Sequence, residues 1–391
     1  MAFLVINCGS SSVKFALFGS GSSEPLAQGL AERLGSAGAS AKLRKKGEDA
    51  KAIAVPKGAD HAAALSAVLG ELSDHRIAAV GHRVVHGGPD FCEPVVVTDE
   101  ILQRIRDLAP LAPLHAIPNA LGIEAVKAVF ADIPHVAVFD TAFHQSIEPC
   151  VYRYALPAKY YETYRIRRYG FHGTSHAWVA TEAAKVLGLP ADKHRLITAH
   201  LGYGCSATAV VDGCSVDTSM GFTPLEGLVM GTRSGSLDPN LHAYLVDEAG
   251  LSLEDITRLL NHESGLLGLS GLSGDMRELT AAHHEGNAEA TLALRVFVFR
   301  LAREIGGLIV SLGGRPDGLV FTGGIGENSF LVREWTVARL KHLGFGLDPA
   351  LNEQSKEGVI SPPDSESAVL IVPTNEELAI ATATKELTAS A

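Results

Sequence analysis

FLVINCGSSSVKFALF, residues 3–18, is two apolar, β-rich runs, Phe3–Ile6 and Val13–Phe18, joined by a tight polar turn from Asn7 to Ser12. The pattern predicts a β-hairpin with a tip of small residues. Gly9 lacks a Cβ and lets the backbone approach a bulky anion. Ser10, Ser11 and Ser12 set hydroxyls beside the backbone N–H groups, and Lys14 adds a positive charge just past the turn. Such a turn can cradle a phosphate on a strand–turn–strand rather than on a strand–turn–helix.

Outward from this hairpin, Pro25–Arg33 and Ala41–Lys46 read as further strands and Asp60–Asp74 as a helix capped by Asp60. Ile77–His86 is a strand, Asp99–Leu108 and Ile117–Phe130 are helices, and His135–Phe139 is a buried strand followed by Asp140. The same order starts again near Arg195. RLITAHLGYGCSATAVVDG repeats the apolar run, glycine turn and β-rich run, and Cys214–Ser219 supplies a third strand. Helices at Asp238–Ala249, Leu253–Asn261 and Ala288–Leu312 follow, then strand Leu319–Thr322, helix Ser329–Leu343, strand Val369–Pro373 and a closing helix Asn375–Leu387. A duplication of pattern at this scale predicts two similar α/β lobes with a cleft between them.

With 391 residues, two domains are the natural prior. The formal charge of −11 argues against a nucleic-acid partner. Five scattered cysteines form no C-x-x-C pair, so neither a disulfide framework nor a zinc knuckle is signalled and a reducing compartment is expected. No signal peptide or membrane-spanning stretch is evident, so a cytoplasmic protein without a membrane partner is expected.

Several further stretches carry chemistry. In AVGHRVVHGGPDF, strand alternation puts Arg83 and Val85 on one face, a charge for a carboxylate and an apolar side for its tail. His82 and His86 share the other face, too far apart on a strand for one ion, and no HEXXH is present. Asp140 ends a buried strand, where it can orient an attacking oxygen or an arginine. In RRYGFHGTSH, the loop residue His172 can donate to a phosphoryl oxygen. His176 belongs to the helix that follows.

The stretch 217–239 is long, glycine-punctuated and neither helix nor strand, and it presents Arg233 to a phosphate or carboxylate. VFTGGIGENS follows a buried strand and opens a helix, a setting for a phosphate or sugar-phosphate, although it is neither a Walker A loop nor GxGxxG. Asp275 and Arg277 suit ribose or base contacts, and Glu376 or Glu377 can reach a magnesium ion.

NCGSSSVKF, GHRVVHGG, FDTAFHQ, RRYGFHGTSH, DTSMGFTPLEGLVMGTRSG, FTGGIGENS and PTNEELAIA occur in this order along essentially the whole chain. In that set the sequence resembles the acetate kinase family, within the group of acetate and sugar kinases, Hsp70 ATPases and actin. The resemblance implies two duplicated ribonuclease-H-like lobes, an actin-like ATPase fold, with ATP and Mg²⁺ (or Mn²⁺) in the cleft and a homodimer. It divides the chain into an N-terminal lobe, 1–142 plus 376–391, and a nucleotide-binding and dimerising lobe, 143–375.

By motif match the resemblance implies that Asn7 and Glu376 organise the metal and that Ser10, Ser12 and Lys14 lie on the phosphate side. Arg83 and Arg233 would hold acetate and stabilise the transferring phosphoryl, with His172 hydrogen-bonded to it and Asp140 the catalytic aspartate. Val85, Leu114, Phe171 and Pro224 would form the apolar pocket for the methyl. Asp275, Met276, Arg277, Gly323, Gly324, Ile325, Gly326 and Asn328 would meet the nucleotide, with His200, Gly202, Tyr203 and Gly204 beside its phosphates.

The chain departs from the family pattern at three points. Tyr203 stands where HLGNG has asparagine, Ser236 where GTRSGD has a carboxylate, and Ala116-Ile117 interrupt APLHNP after His115. The expected reaction is Mg²⁺-dependent, reversible, in-line transfer of the ATP γ-phosphoryl to acetate, giving acetyl phosphate and ADP. Propionate or butyrate kinase is the neighbouring reading. An actin- or Hsp70-like ATPase would need a spare partner-binding segment, and a metal hydrolase would be built on His82/His86 or His172/His176.

Overall fold

The computed structural model describes residues 1–391 apart from 10, 73, 113–115, 390 and 391. The predicted phosphate-side Ser10 and methyl-pocket Leu114 therefore lie outside the described residues. The chain forms two compact units, Met1–Phe143 with Asn375–Ala391, and His144–Thr374.

The first unit is built on an eight-stranded sheet, β1 (Ala2–Cys8), β2 (Ser12–Gly19), β3 (Pro25–Glu32), β4 (Ser40–Lys45), β5 (Lys51–Ile53), β6 (Ile77–Val84), β7 (Val95–Val96) and β8 (His135–Phe139), in the order β5-β4-β3-β2-β1-β6-β8-β7. The opening hairpin is present, with Ala2 opposite Gly19 and Cys8 opposite Val13. Its turn is closed by the Gly9 N–H donating to the Ser12 carbonyl at 2.8 Å. β1 runs parallel to β6, and β6 parallel to β8.

β1 reads as an unbroken apolar run because both its faces are covered. Leu4 and Ile6 pack with Leu65, Val68 and Val126, which belong to the helices His61–Gly70 and Ala116–Val129. Phe3 and Val5 pack with Ile380 and Ala381 of the closing helix, Glu376–Ala389. That helix lies so close that a Cβ on Gly81 of β6 would sit 2.3 Å from Thr384 Oγ1. Asp60 caps the first helix through the Ala63 N–H, as the sequence predicts.

The second unit repeats the plan. β9 (Arg195–Leu201), β10 (Cys205–Val211), β11 (Cys214–Thr218), β12 (Gly318–Thr322), β13 (Gly358–Val359) and β14 (Ala368–Ile371) follow the order β11-β10-β9-β12-β14-β13. In both sheets a central strand pairs antiparallel with the next strand in sequence on one side and parallel with a later one on the other. This duplicated order is the ribonuclease-H-like plan of the actin-like ATPase fold. The helix Gly173–Val186 packs on β9 and β12, and the long helix Ala288–Ser311 on β9, β10 and β11.

Three details differ from the sequence reading. The strand predicted to reach His86 ends at Val84, because the Val85 N–H leaves the ladder and donates to Asn119 Oδ1 at 3.0 Å. The predicted helix Leu253–Asn261 ends at Arg258 and gives way to a π-helical turn, Leu259–Glu263. The predicted helix Ser329–Leu343 is preceded by a separate short helix, Gly323–Asn328, and Ser329 caps the next one through the Val332 N–H. Among the described residues, no helix is long and apolar enough to cross a membrane.

Candidate active site

In the first unit the predicted residues gather around Arg83 near the C-terminal end of β6. Its guanidinium forms a two-pronged pair with Asp140, Nε to Oδ1 at 3.0 Å and Nη2 to Oδ2 at 2.5 Å. This fork–fork geometry needs a planar donor. Nη1 reaches Asn7 Oδ1 at 3.4 Å, and Nε lies 3.9 Å from Glu376 Oε2. The Asp140 side chain is only 2% exposed against 19% for Arg83, so the carboxylate anchors and the arginine faces outward.

Burial pushes the Asp140 carboxyl up to about 6; Arg83 pulls it down and Glu376 adds to the push. Burial works against the Arg83 charge, but Asp140 and Glu376 outweigh it and raise its pKa further. Asn119 ties the neighbourhood together, since its Nδ2 donates to the Cys8 carbonyl while its Oδ1 holds the Val85 N–H. Sequence reasoning missed Asn119; a polar residue on the buried stripe of an apolar helix is the signal that could have found it.

Lys14, read as a phosphate-side residue, is paired with Glu377 at 2.5 Å. Ser12 is the first residue of β2, beside the turn. His82 and His86, weighed as a metal pair, do not share a site. His82 Nε2 meets His135 Nδ1 at 2.9 Å, and His86 Nδ1 accepts from the Gly88 N–H. Among the described residues no cluster of three or more His, Cys, Asp or Glu side chains could hold a metal by itself. The amide oxygen of Asn7 and the carboxylate of Glu376, both close to Arg83, are hard donors that fit Mg²⁺ completed by water and substrate phosphate.

In the second unit most of the predicted nucleotide contacts line one cavity of about 910 Å³, whereas His200, Gly204, Gly323 and Gly326 are not in its wall. Gly202 and Tyr203 form one wall, Asp275, Met276 and Arg277 another, and Gly324, Ile325 and Asn328 a third. Asp275 caps the helix Met276–His284 by accepting from the Arg277 N–H, and its carboxylate holds the Arg277 guanidinium at 2.6 Å. Gly323 has φ +76°, and a Cβ there would lie 2.8 Å from the Leu201 carbonyl oxygen, so glycine is required for this approach of β12's end to β9.

Gly326 is buried in the same short helix. Glu327, which the sequence reading passed over, holds this corner. Its Oε1 accepts the N–H groups of Gly323 at 2.9 Å and Thr374 at 3.2 Å. Tyr203 is 61% exposed, and its ring lies across Gly231, where a Cβ would come within 2.6 Å.

Arg233 sits in the irregular stretch after β11. Its Nη1 donates to the Pro224 carbonyl at 2.8 Å, and burial lowers its pKa. Among the described residues no carboxylate pairs with it. Ser236, where the family pattern has a carboxylate, closes the loop by accepting the Gly227 N–H and donating its own to the Gly227 carbonyl. His172 occupies the residue before the helix Gly173–Val186 in a left-handed conformation, φ 56°. Its ring stacks on His200 with centroids 4.3 Å apart. A Cβ on Gly204 would be 3.4–3.5 Å from both the His172 ring and Arg233 Nη2, so glycine keeps the space between them open.

His200 Nδ1 meets Ser175 Oγ at 2.8 Å. Of the residues read as a methyl pocket, Val85 belongs to the first unit, and Phe171 and Pro224 to the second.

The repeated sheet plan, a cavity with glycines in its wall and, among the described residues, an arginine without a carboxylate partner fit an ATP-dependent kinase of the actin-like ATPase fold. A model of the acetokinase family matches residues 2–382, and the chain belongs to that family. It is 53% identical over 398 residues to an acetate kinase of Deinococcus deserti, covering 100% of this chain and 98% of the relative. To one of Deinococcus radiodurans it is 54% identical over 386 residues, covering 97% and 96%. Among solved structures, Porphyromonas gingivalis acetate kinase superposes with a TM-score of 0.94 at 42% identity over 99% of both chains. A propionate kinase from Francisella tularensis superposes with a TM-score of 0.93 at 42% identity over 98% of this chain and 99% of that one.

Proposed function

We propose that the protein catalyses the reversible, Mg²⁺-dependent transfer of the ATP γ-phosphoryl group to acetate, giving acetyl phosphate and ADP. The observation that carries this reading is Arg233, a half-buried cation without a carboxylate partner among the described residues, in the unit that holds the nucleotide-sized cavity. A half-buried guanidinium in this state is a standing site for a phosphoryl or carboxylate group.

A carboxylate oxygen of acetate forms the new bond to the γ-phosphorus, and the bond from that phosphorus to the β–γ bridging oxygen breaks, leaving ADP with the electron pair. Acetate is already ionised at neutral pH, so no general base is needed. Catalysis reduces to alignment and charge neutralisation. Arg83 is assigned to the acid's carboxylate, with Asp140 acting through Arg83 by fixing its plane. Arg233 and His172 are assigned to the transferring phosphoryl, and Ser12 and Lys14 to the phosphate side. Val85, Phe171 and Pro224 are assigned to the acceptor's methyl. Asn7 and Glu376 would hold Mg²⁺, which supplies charge neutralisation of the phosphates.

Propionate is the second reading, because the propionate kinase neighbour matches this chain as well as the acetate kinase neighbour does. One methylene is worth only about 1–3 kcal/mol of discrimination in an apolar pocket. A coupled assay of ADP formation with acetate, propionate and butyrate, with and without Mg²⁺, tests both. Highest kcat/KM with acetate, abolished by chelation, is the expected result; a maximum at propionate transfers the assignment, and acid-independent ATP hydrolysis removes it. A homodimer in the cytoplasm completes the proposal, supported by the family resemblance and by five scattered free thiols.

A further inference from the structure

Three consecutive carbonyls at the start of the irregular stretch that carries Arg233 converge on one side chain. Arg168 Nη1 donates to those of Thr218, Ser219 and Met220 at 2.9, 3.1 and 3.0 Å. The next carbonyl, that of Gly221, accepts the N–H groups of Tyr169 and Gly170 at 3.0 and 3.3 Å. Arg168 Nη2 donates to Glu226 Oε1 at 2.7 Å. Glu226 Oε2 accepts the hydroxyl of Tyr154, whose oxygen in turn accepts the Phe222 N–H at 2.8 Å. A guanidinium and a backbone N–H only donate and an ionised carboxylate only accepts, so every direction in this set is fixed. Burial, and then the Glu226 charge, push the Tyr154 phenol well above its ordinary value, so it keeps the proton it donates.

The set is tightly fitted. A Cβ on Gly221 would run into both the Glu226 carboxylate and the Tyr154 hydroxyl. Gly227, just past Glu226, has φ +107°, and a Cβ there would lie 2.6 Å from the Ser219 carbonyl oxygen. All these residues belong to the second unit, and none of Tyr154, Arg168 and Glu226 lines the nucleotide-sized cavity. What they hold is a turn. Pro224 lies between Phe222 and Glu226, both gripped by Tyr154, and its carbonyl is the acceptor for Arg233 Nη1 at 2.8 Å.

We propose that Tyr154, Arg168 and Glu226 form a clamp that sets the Pro224 carbonyl and, through it, the plane of the Arg233 guanidinium. Resting on the reading of Arg233 as the group that meets the transferring phosphoryl, the three are positioning residues that touch no substrate. Arg83 has Asp140 to fix its plane, whereas Arg233 has no carboxylate among the described residues. A guanidinium held through a carbonyl is aimed only as well as that carbonyl is immobile. Misplacing a reacting contact by about 1 Å can cost about 100-fold in rate, which makes a rigid turn worth its three side chains.

The test is a double-mutant cycle in the full-length protein, with Glu226→Gln and Tyr154→Phe each made alone and together with Arg233→Ala. Glu226→Gln should lower kcat about tenfold, the worth of a charge-assisted hydrogen bond, and Tyr154→Phe about threefold, with the KM for ATP unchanged in both. In the Arg233→Ala background the same changes should alter kcat by less than about twofold, because the group they aim is gone. Arginine side-chain NMR supplies a readout independent of turnover. The Arg233 Nε–H resonance, identified by its loss in Arg233→Ala, should report slow guanidinium rotation in the wild type and faster rotation in both clamp variants. Tyr154→Phe removes a single oxygen and serves alone should Glu226→Gln not fold. Unchanged kcat in the single variants, losses of equal size in both backgrounds, or an Arg233 resonance that neither variant alters overturns the proposal. Full activity in Arg233→Ala would instead refute the functional reading, and the NMR arm would still decide whether the clamp holds Arg233.

Discussion

Arg83 and Arg233 carry the same charge in opposite settings. Arg83 is gripped by Asp140, Asn7 and Glu376, whereas Arg233 is held by a carbonyl. Arg83→Lys should lose at least about 100-fold in turnover because an ammonium cannot reproduce the two-pronged pair; steady-state kinetics with acetate checks this. Arg233→Ala should lose a similar factor yet melt close to the wild type, since no ion pair among the described residues is broken. The carboxyl of Asp140, raised by burial to about 6, gives a signed prediction. As pH falls through 6 it takes up a proton and slackens its hold on Arg83, so kcat should decline on the acid side, and Asp140→Asn should abolish that limb. Stability runs the other way. The folded protein binds this proton before the unfolded chain does, so the unfavourable contribution felt above 6 is relieved on acidification. The wild-type Tm should therefore gain on that of Asp140→Asn between about pH 7 and about pH 5.

At the level of elements, the Arg233 loop owes its shape to a neighbour. The N–H groups of Ser234 and Ser264 bond to the carbonyls of Leu260 and Thr232, and those of Leu266 and Leu267 to Met230 and Gly231. The π-helical turn at Leu259–Glu263 makes this lacing possible by shifting the register of the backbone. Gly265 follows it at φ +63°, where a Cβ would be 2.3 Å from the Met230 carbonyl oxygen and 2.7 Å from that of Arg233. Gly265→Ala should therefore displace Arg233 and reduce kcat, besides costing about 1–2 kcal/mol of stability from the left-handed backbone, measurable by kinetics and denaturation in parallel.

Long periodic segments were legible from the residues alone. The opening hairpin, its repeat at Arg195, the cap at Asp60 and the long helix from Ala288 all follow local rules. β5 and β7 were not legible, because three- and two-residue strands carry no period. The short helices Pro149–Tyr152 and Ala158–Tyr164 bury no side chain, so no apolar stripe marked them. Arg83 and Asp140 could be read from strand ends. The contact between Ser206 and His176 could not, because sheet and helix bring them together from 30 positions apart.

For the whole molecule, two copies of one strand plan share the chain unequally. The second unit is a continuous segment, whereas the first is closed by a helix that returns after it. That return packs Ile380 and Ala381 against Phe3, Val5 and Val136 with no room to spare at Gly81. Gly81→Val should overpack this contact by about 1–3 kcal/mol, seen as a lowered Tm, with the nucleotide cavity untouched and ATP-analogue binding retained in native protein. Sedimentation of the wild type should give twice the mass of the chain if the proposed homodimer holds. The late return also orders events at the ribosome. β1 to β8 emerge first but keep one sticky face of their sheet bare while every residue of the second unit is translated. The opening half waits for its cover through the whole of that synthesis, an interval in which nascent chains of this topology are most in need of chaperone protection.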